Sequence, residues 1–317
     1  MKLLITRPLP EANVAAARAL FDVTLREETT PLSRDEIHAA LTDYDCVLPT
    51  LGDIFDAAAF AAVPAPRAKL LANFGMGYNH IDIETAKTAG VAVTNTPGAV
   101  TDATADIAMT LILMSARRAA EGERLVRSGA WQGWHPTQML GLHVSGKVLG
   151  VVGMGRIGKA IARRAHHGFG MEVVFFNRSR VADPGVPARQ LDSLAEVMAT
   201  ADIVVVAVPG GAGTRHLLDA AALAAMPPHA HLVNIARGDV VDEAALIAAL
   251  TERRIGGAGL DVYEKEPQVP EALRALDNVT LLPHLGTAAL ETRAAMGEVA
   301  LDNLRAFVEG KPLPNAV

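Results

Sequence analysis

Lys147-Val148-Leu149-Gly150-Val151-Val152 runs directly into Gly153-Met154-Gly155-Arg156-Ile157-Gly158, and these residues decide the fold. The first six read as a compact apolar strand, and Lys159 to Arg164 after the glycines read as helix. Strand, turn and helix in that order give the three glycines their meaning. Gly153 permits a tight turn, Gly155 lets the backbone approach a pyrophosphate, and Gly158 lets the helix pack close to the strand. The helix start adds free N–H groups and a positive partial charge, so Gly153, Met154, Gly155, Arg156, Ile157 and Gly158 are expected to hold a dinucleotide.

Downstream, the strand Glu172–Phe176 ends in Asn177-Arg178-Ser179-Arg180. A carboxylate at this point would accept from a ribose 2′-hydroxyl and select NAD. Two guanidinium groups are suited instead to a 2′-phosphate, because they match its oxygens in bidentate fashion. NADP(H) is therefore the expected cofactor, with NAD(H) as the alternative.

The strand–helix rhythm continues through Ile203–Val208, His231–Asn234, Gly257–Leu260 and Val279–Leu282. A similar rhythm precedes it, with strands at Lys2–Thr6, Cys46–Thr50 and Lys69–Asn73 and a helix at Asn13–Leu20. Alternation of this kind implies parallel sheets, and the chain reads as α/β with doubly wound topology. The turn Asn95-Thr96-Pro97-Gly98 is followed by Thr101 and Asp102, either able to cap a helix running to Arg118. A loop with Trp131 and Trp134 separates that helix from the fingerprint strand. The helical pattern Ala288–Glu309 closes at Gly310, Lys311 and Pro312.

A chain of 317 residues suits two domains, and 50% apolar with 20% charged residues allows a large core. The formal charge of −6 lacks the basic excess that nucleic acid would require. One cysteine, Cys46, excludes an intrachain disulfide and a cysteine-rich metal site; it reads as a small buried hydrophobe in a reducing cytoplasm. Arg7, Pro8, Pro10 and Glu11 interrupt the apolar core a secretory signal needs. The apolar run Ile107–Ala116 is about half of a membrane span, so no membrane partner is expected. His166 and His167 are adjacent on a helix and should diverge, which leaves no metal site.

Three further segments lie at strand ends: Asn234-Ile235-Ala236-Arg237-Gly238, Gly259-Leu260-Asp261-Val262-Tyr263-Glu264-Lys265-Glu266-Pro267 and Leu282-Pro283-His284-Leu285-Gly286. In an open parallel sheet these ends border the ligand crevice, so the segments can converge. Hydride arriving at a carbonyl carbon builds negative charge on its oxygen, which a proton donor must quench and a cation can stabilise. His284 can donate the proton, Glu266 can orient the ring and favour its protonated form, and Arg237 can hold a carboxylate and polarise the adjacent carbonyl.

Fingerprint, NxARG, GxDVY with the following EP, and PHxG occur here in the order seen in D-2-hydroxyacid dehydrogenases. The sequence resembles that family over essentially its whole length. Within it, Asn177-Arg178-Ser179-Arg180 and Trp131-Gln132-Gly133-Trp134 look most like the bacterial glyoxylate/hydroxypyruvate reductases. The resemblance implies reduction of a small 2-oxo acid to the D-2-hydroxy acid, with Arg237, Glu266 and His284 as the catalytic set. It assigns Asp261 to the nicotinamide end of the cofactor, and Val208, Pro209, Ile235, Ala236, Arg237, His284 and Gly286 are expected beside it. It assigns the backbone of Phe74-Gly75-Met76-Gly77 to the substrate carboxylate, with Leu51, Arg237, His284 and Trp134 shaping the pocket.

The resemblance also implies two Rossmann-like domains with a cleft between them that closes by hinge motion. Residues 1–99 with 287–317 would form a flavodoxin-like substrate domain, and residues 100–286 the dinucleotide-binding domain. A homodimer is expected, with Trp134 near the neighbouring subunit's pocket and an exposed apolar face of the 101–118 helix at the interface. The enzymatic alternatives are formate oxidation, for which a His–Glu acid–base pair is redundant, phosphoglycerate dehydrogenation and, more remotely, phosphite oxidation. A dinucleotide-sensing corepressor is the alternative from a different class.

Overall fold

A computed structural model describes every residue from Met1 to Val317. The chain forms two compact units, Met1–Val100 with Ala288–Val317, and Thr101–Thr287. The first contains β1 (Lys2–Ile5), α1 (Glu11–Arg18), β2 (Asp22–Leu25), α2 (Arg34–Asp43), β3 (Cys46–Leu48), α3 (Ala57–Ala62), β4 (Leu70–Ala72), α4 (Ile83–Thr88), β5 (Ala92–Thr94) and the C-terminal helix Leu290–Val308. Its parallel sheet has the order β2-β1-β3-β4-β5.

Strands β3 and β4 are buried at every residue, as an inner parallel strand covered on both faces must be. Strand β2 alternates exposed and half-buried residues at the sheet edge and carries only a weak apolar signal. Helix α2 starts with a complete capping box between Ser33 and Glu36. The Cys46 side chain is fully buried, and burial pushes its thiol up to about 12, so it behaves as a packing residue.

The second unit contains α5 (Thr101–Ala116), α6 (Ala119–Arg127), β6 (Val148–Val152), α7 (Arg156–Phe169), β7 (Glu172–Phe176), β8 (Ala188–Gln190), α8 (Leu194–Thr200), β9 (Ile203–Val206), α9 (Ala220–Ala224), β10 (His231–Asn234), α10 (Glu243–Thr251), β11 (Gly257–Leu260), α11 (Glu271–Arg274) and β12 (Val279–Leu281). Seven parallel strands follow the order β12-β11-β10-β9-β6-β7-β8. From β6 the chain builds outward through β7 and β8, then returns to add β9 on the other side. The topological switch lies between β6 and β9, and ligands of such sheets bind beyond the strand C-termini there. Both α/β sheets agree with the doubly wound reading of the sequence.

Three local expectations are corrected. The helix from Thr101 ends at Ala116, not Arg118, because Arg118 turns left-handed at φ 53° and a separate helix, α6, begins at Ala119. Nor does α5 present an exposed apolar face. Ala105, Ala108, Met109, Leu111 and Ile112 are buried in the core of the second unit, and the exposed stripe is Asp102, Asp106 and Thr110. Arg164 of α7 binds both aspartates of that stripe. Nor do the rings of His166 and His167 diverge, since they meet edge to face with centroids 5.0 Å apart.

Candidate active site

The turn after β6 has the geometry its glycines suggest. Gly153 adopts φ +100°, and a Cβ there would press against the Ala207 carbonyl and the Val208 side chain, each 2.8 Å away. A Cβ on Gly158 would strike the Gly153 carbonyl. Above Gly155, by contrast, there is open space, with nothing within 4 Å of a Cβ position. The N–H groups of Gly155, Arg156 and Ile157 at the start of α7 donate to no protein acceptor. Open backbone plus unpartnered donors at a helix N-terminus fit a pyrophosphate.

Beyond β7, Asn177 Nδ2 donates to the Ser179 carbonyl at 3.0 Å. Gln190 Nε2 donates to the carbonyls of Asn177 and Ser179, at 3.3 and 3.1 Å. The loop is thus shaped by its own amides, and Arg178 and Arg180 are exposed with no carboxylate partner. Sequence reasoning missed Gln190, whose strand β8 follows a loop of small and charged residues.

Three strand-end loops converge in the second unit. After β10, Asn234 accepts from the Ala236 N–H at 3.0 Å and donates to the Arg237 carbonyl at 2.9 Å, which sets the bend carrying Arg237. Arg237 Nη1 donates to the Ala236 carbonyl at 2.7 Å. Burial pushes the Arg237 guanidinium down from its ordinary value, against the upward pull of Glu266 and Asp239, and an arginine stays charged under such shifts. At Gly238 a side chain would collide with the Tyr263–Glu264 backbone, so glycine lets the second loop close over the first.

In that second loop Glu266 Oε1 accepts from the Tyr263 N–H at 3.1 Å, while Oε2 lies 2.8 Å from His284 Nδ1. Burial would raise the Glu266 carboxyl, but the His284 hydrogen bond and charge, the Tyr263 N–H and Arg237 outweigh it and hold it below its usual value. An ionised Glu266 makes Nδ1 the protonated nitrogen, which turns Nε2 of His284 outward without a protein partner.

The third loop is braced by Asp261. One of its buried carboxylate oxygens accepts from the Leu285 N–H at 2.6 Å and the other from the Gly286 N–H at 2.8 Å. Its backbone carbonyl accepts from the His284 N–H at 3.0 Å. Burial raises the Asp261 carboxyl, with the Leu285 and Gly286 amides and His284 pulling the other way. Thr104 Oγ1 donates to the Gly286 carbonyl at 3.1 Å, and Tyr263 donates its hydroxyl proton to the Leu282 carbonyl at 2.8 Å. His284 itself adopts φ +55°, a strained region for a side-chain-bearing residue. This brace went unread because spacing alone does not tell which amides a carboxylate meets.

Val208 and Pro209 follow β9, and Ile235 and Ala236 follow β10, all at the same sheet edge as Arg237, Asp261, His284 and Gly286. In the first unit, Leu51 and the Gly75-Met76-Gly77 segment follow β3 and β4, whose extensions pair at Thr50 and Phe74. Trp134 belongs to neither group. It lies in the 119–143 segment with 79% of its surface exposed.

Residues 109–286 match the family model described as D-isomer specific 2-hydroxyacid dehydrogenase, NAD binding domain. The chain belongs to this family. A glyoxylate reductase of Thermococcus onnurineus is 44% identical over 324 residues, covering 100% of this chain and 95% of that protein. A glycerate dehydrogenase of Hyphomicrobium methylovorum is 36% identical over 319 residues, covering 100% and 98%. Among solved structures of 2-hydroxyacid dehydrogenases and their relatives, an NADPH-dependent glyoxylate/hydroxypyruvate reductase of Sinorhizobium meliloti, in complex with NADP and malonate, superposes with a TM-score of 0.88. That protein is 33% identical, and the match covers 100% of this chain and 96% of that one. As a 2-hydroxyacid dehydrogenase the chain carries an NAD(P)-binding domain, and none of its helices is long and apolar enough to cross a membrane.

Proposed function

We propose that this dehydrogenase reduces a small 2-oxo acid of glyoxylate or hydroxypyruvate size to the D-2-hydroxy acid, with NADPH preferred over NADH. The observation that carries this reading is the His284–Glu266 pair, 2.8 Å apart, at the strand ends that also bear Arg237. The names of its relatives, glyoxylate reductase and glycerate dehydrogenase, fit that chemistry.

The residues of the turn Gly153–Gly158 would hold the pyrophosphate, and Arg178 and Arg180 the 2′-phosphate. The reduced nicotinamide, when bound, supplies the hydride. Arg237 binds the substrate carboxylate in bidentate fashion and draws charge from the neighbouring carbonyl. His284 gives a proton from Nε2 to the carbonyl oxygen as negative charge develops there, while Glu266 at Nδ1 stabilises the imidazolium until transfer. Asp261 keeps the His284 loop in register and would border the nicotinamide end of the cofactor. The unit built from both ends of the chain serves the substrate through Leu51 and the Gly75–Gly77 backbone, and Thr101–Thr287 serves the cofactor.

The working assembly is a homodimer in which Trp134 reaches the partner's pocket. This rests on the exposed 119–143 segment rather than on α5, whose apolar side is internal. Steady-state kinetics with glyoxylate, hydroxypyruvate, pyruvate and phenylpyruvate against both reduced cofactors test the proposal. The two smallest polar substrates with NADPH should give the highest kcat/KM. Turnover of none of the four would remove the reading.

A further inference from the structure

Three successive carbonyl groups after β4 are captured by side-chain amides. Asn73 Nδ2 donates to the carbonyls of Gly75 and Gly77, at 3.0 and 3.1 Å, and Asn95 Nδ2 donates to that of Met76 at 2.9 Å. The Thr96 N–H adds a second bond to the Gly75 carbonyl at 3.0 Å. Asn73 is 1% exposed, so this arrangement is built into the interior of the first unit. With Nδ2 facing two carbonyls its orientation is unambiguous, and Oδ1 faces His80 Nε2 at 3.0 Å, which must carry the proton.

The consequence follows from peptide geometry. In a trans peptide the N–H points opposite to the C=O of the same unit. Holding the carbonyls of Gly75, Met76 and Gly77 on the Asn73 and Asn95 amides therefore points the N–H groups of Met76, Gly77 and Tyr78 away from those amides, and none of them donates to a protein acceptor. Successive unpartnered backbone N–H groups in a turn can form an anion-binding concavity. In an ordinary loop the same three peptides would rotate freely and spend their donors on water.

We infer that Asn73 is a positioning residue for substrate binding: its amide, backed by His80 and assisted by Asn95, fixes the Gly75–Gly77 peptides so that their N–H groups receive the carboxylate of the 2-oxo acid. The inference rests on the proposed role of this backbone in carboxylate binding. Nothing in the sequence marks Asn73 as functional, since it ends a buried strand and reads as a polar interruption.

The test compares glyoxylate with methyl glyoxylate, which lacks the anion, in Asn73→Ser and the parent enzyme. Losing the clamp should raise KM for glyoxylate about tenfold, while kcat stays within about threefold and KM for the ester is unchanged. NADPH affinity, read by fluorescence titration, should not move. Equal losses on acid and ester, or no loss on either, overturn the inference. Met76→Pro, which deletes one of the outward N–H groups, separates the two layers of the argument. If it raises KM for glyoxylate and Asn73→Ser does not, the carboxylate reading stands and the clamp fails. If Met76→Pro has no effect, the carboxylate reading has failed and takes the clamp with it. Should Asn73→Ser not fold, Asn95→Ser replaces it, with an expected rise of about threefold for the acid alone.

Discussion

The strand-end loops of the second unit and its 119–143 segment differ in what holds them. Around Arg237, Glu266 and His284, almost every backbone turn is tied by a buried side chain: Asn234, Asp261, Tyr263 and Thr104 each hold a named carbonyl or amide. Across residues 119–143 no side chain is buried, and Val126, Trp134 and Leu140 are 61%, 79% and 68% exposed. The chain returns from this excursion where the Leu142 N–H meets the Ala116 carbonyl at 2.7 Å. A reactive group must be held to a fraction of an ångström, which takes internal bonds. The 119–143 segment has no such internal bracing, and its exposed Val126, Trp134 and Leu140 are what the dimer proposal rests on.

That contrast is open to attack by mutation, and the largest effect belongs to the braced side. His284→Ala should lower kcat by about two to four orders of magnitude, as expected for a lost general acid, with cofactor affinity nearly intact. Near-normal turnover in the folded variant would remove His284 from the chemistry. Next comes Arg237→Lys, which replaces a planar fork with a point charge and should lower kcat/KM by roughly a hundredfold, acting on both constants. Parental kinetics there would put Arg237 outside the pocket.

Replacing Arg178 and Arg180 together by alanine should raise KM for NADPH about tenfold and leave NADH kinetics almost unchanged, because charge-assisted phosphate contacts far from the hydride act equally on ground and transition states. Equal NADPH kinetics in parent and variant would make them ordinary surface charges. Glu266→Gln addresses pH. The parent carboxyl is held below its usual range, so its negative charge is present at neutral pH and is lost only as pH falls through that depressed value. Without the anion the imidazolium is less favoured, so the alkaline limb of the reduction profile should move to lower pH; an unmoved limb would uncouple the pair.

The exposed segment carries the smallest expected effect. Trp134→Ala should raise KM for the 2-oxo acid by about threefold while sedimentation still shows a dimer. A fully active parental monomer would sink the dimer proposal, and a loss as large as that of His284→Ala would erase the contrast itself.

What the sequence made legible was whatever apolar pattern and glycine geometry encode locally. Strands β7, β10 and β11 lie where their apolar runs predict, and the phosphate turn needed no more than its glycines and flanking elements. Edge strands β2 and β8, half-exposed and short, left no such mark. Helix α6 was missed because it buries nothing, and the end of α5 because Arg118 gives no hint of its left-handed turn. The candidate residues could be named from strand-end motifs, but their supports could not. Asp261 binding two loop amides, and Asn73 two carbonyls, depend on which backbone groups the fold brings within 3.1 Å.

Hydride must reach one face of C2 in a small 2-oxo acid held by its carboxylate while His284 protonates the carbonyl oxygen, and the handedness of the product reads that face directly. Hydroxypyruvate reduced with NADPH by the purified enzyme should give D-glycerate alone by chiral chromatography. L-glycerate, a racemate, or no reduction would contradict it.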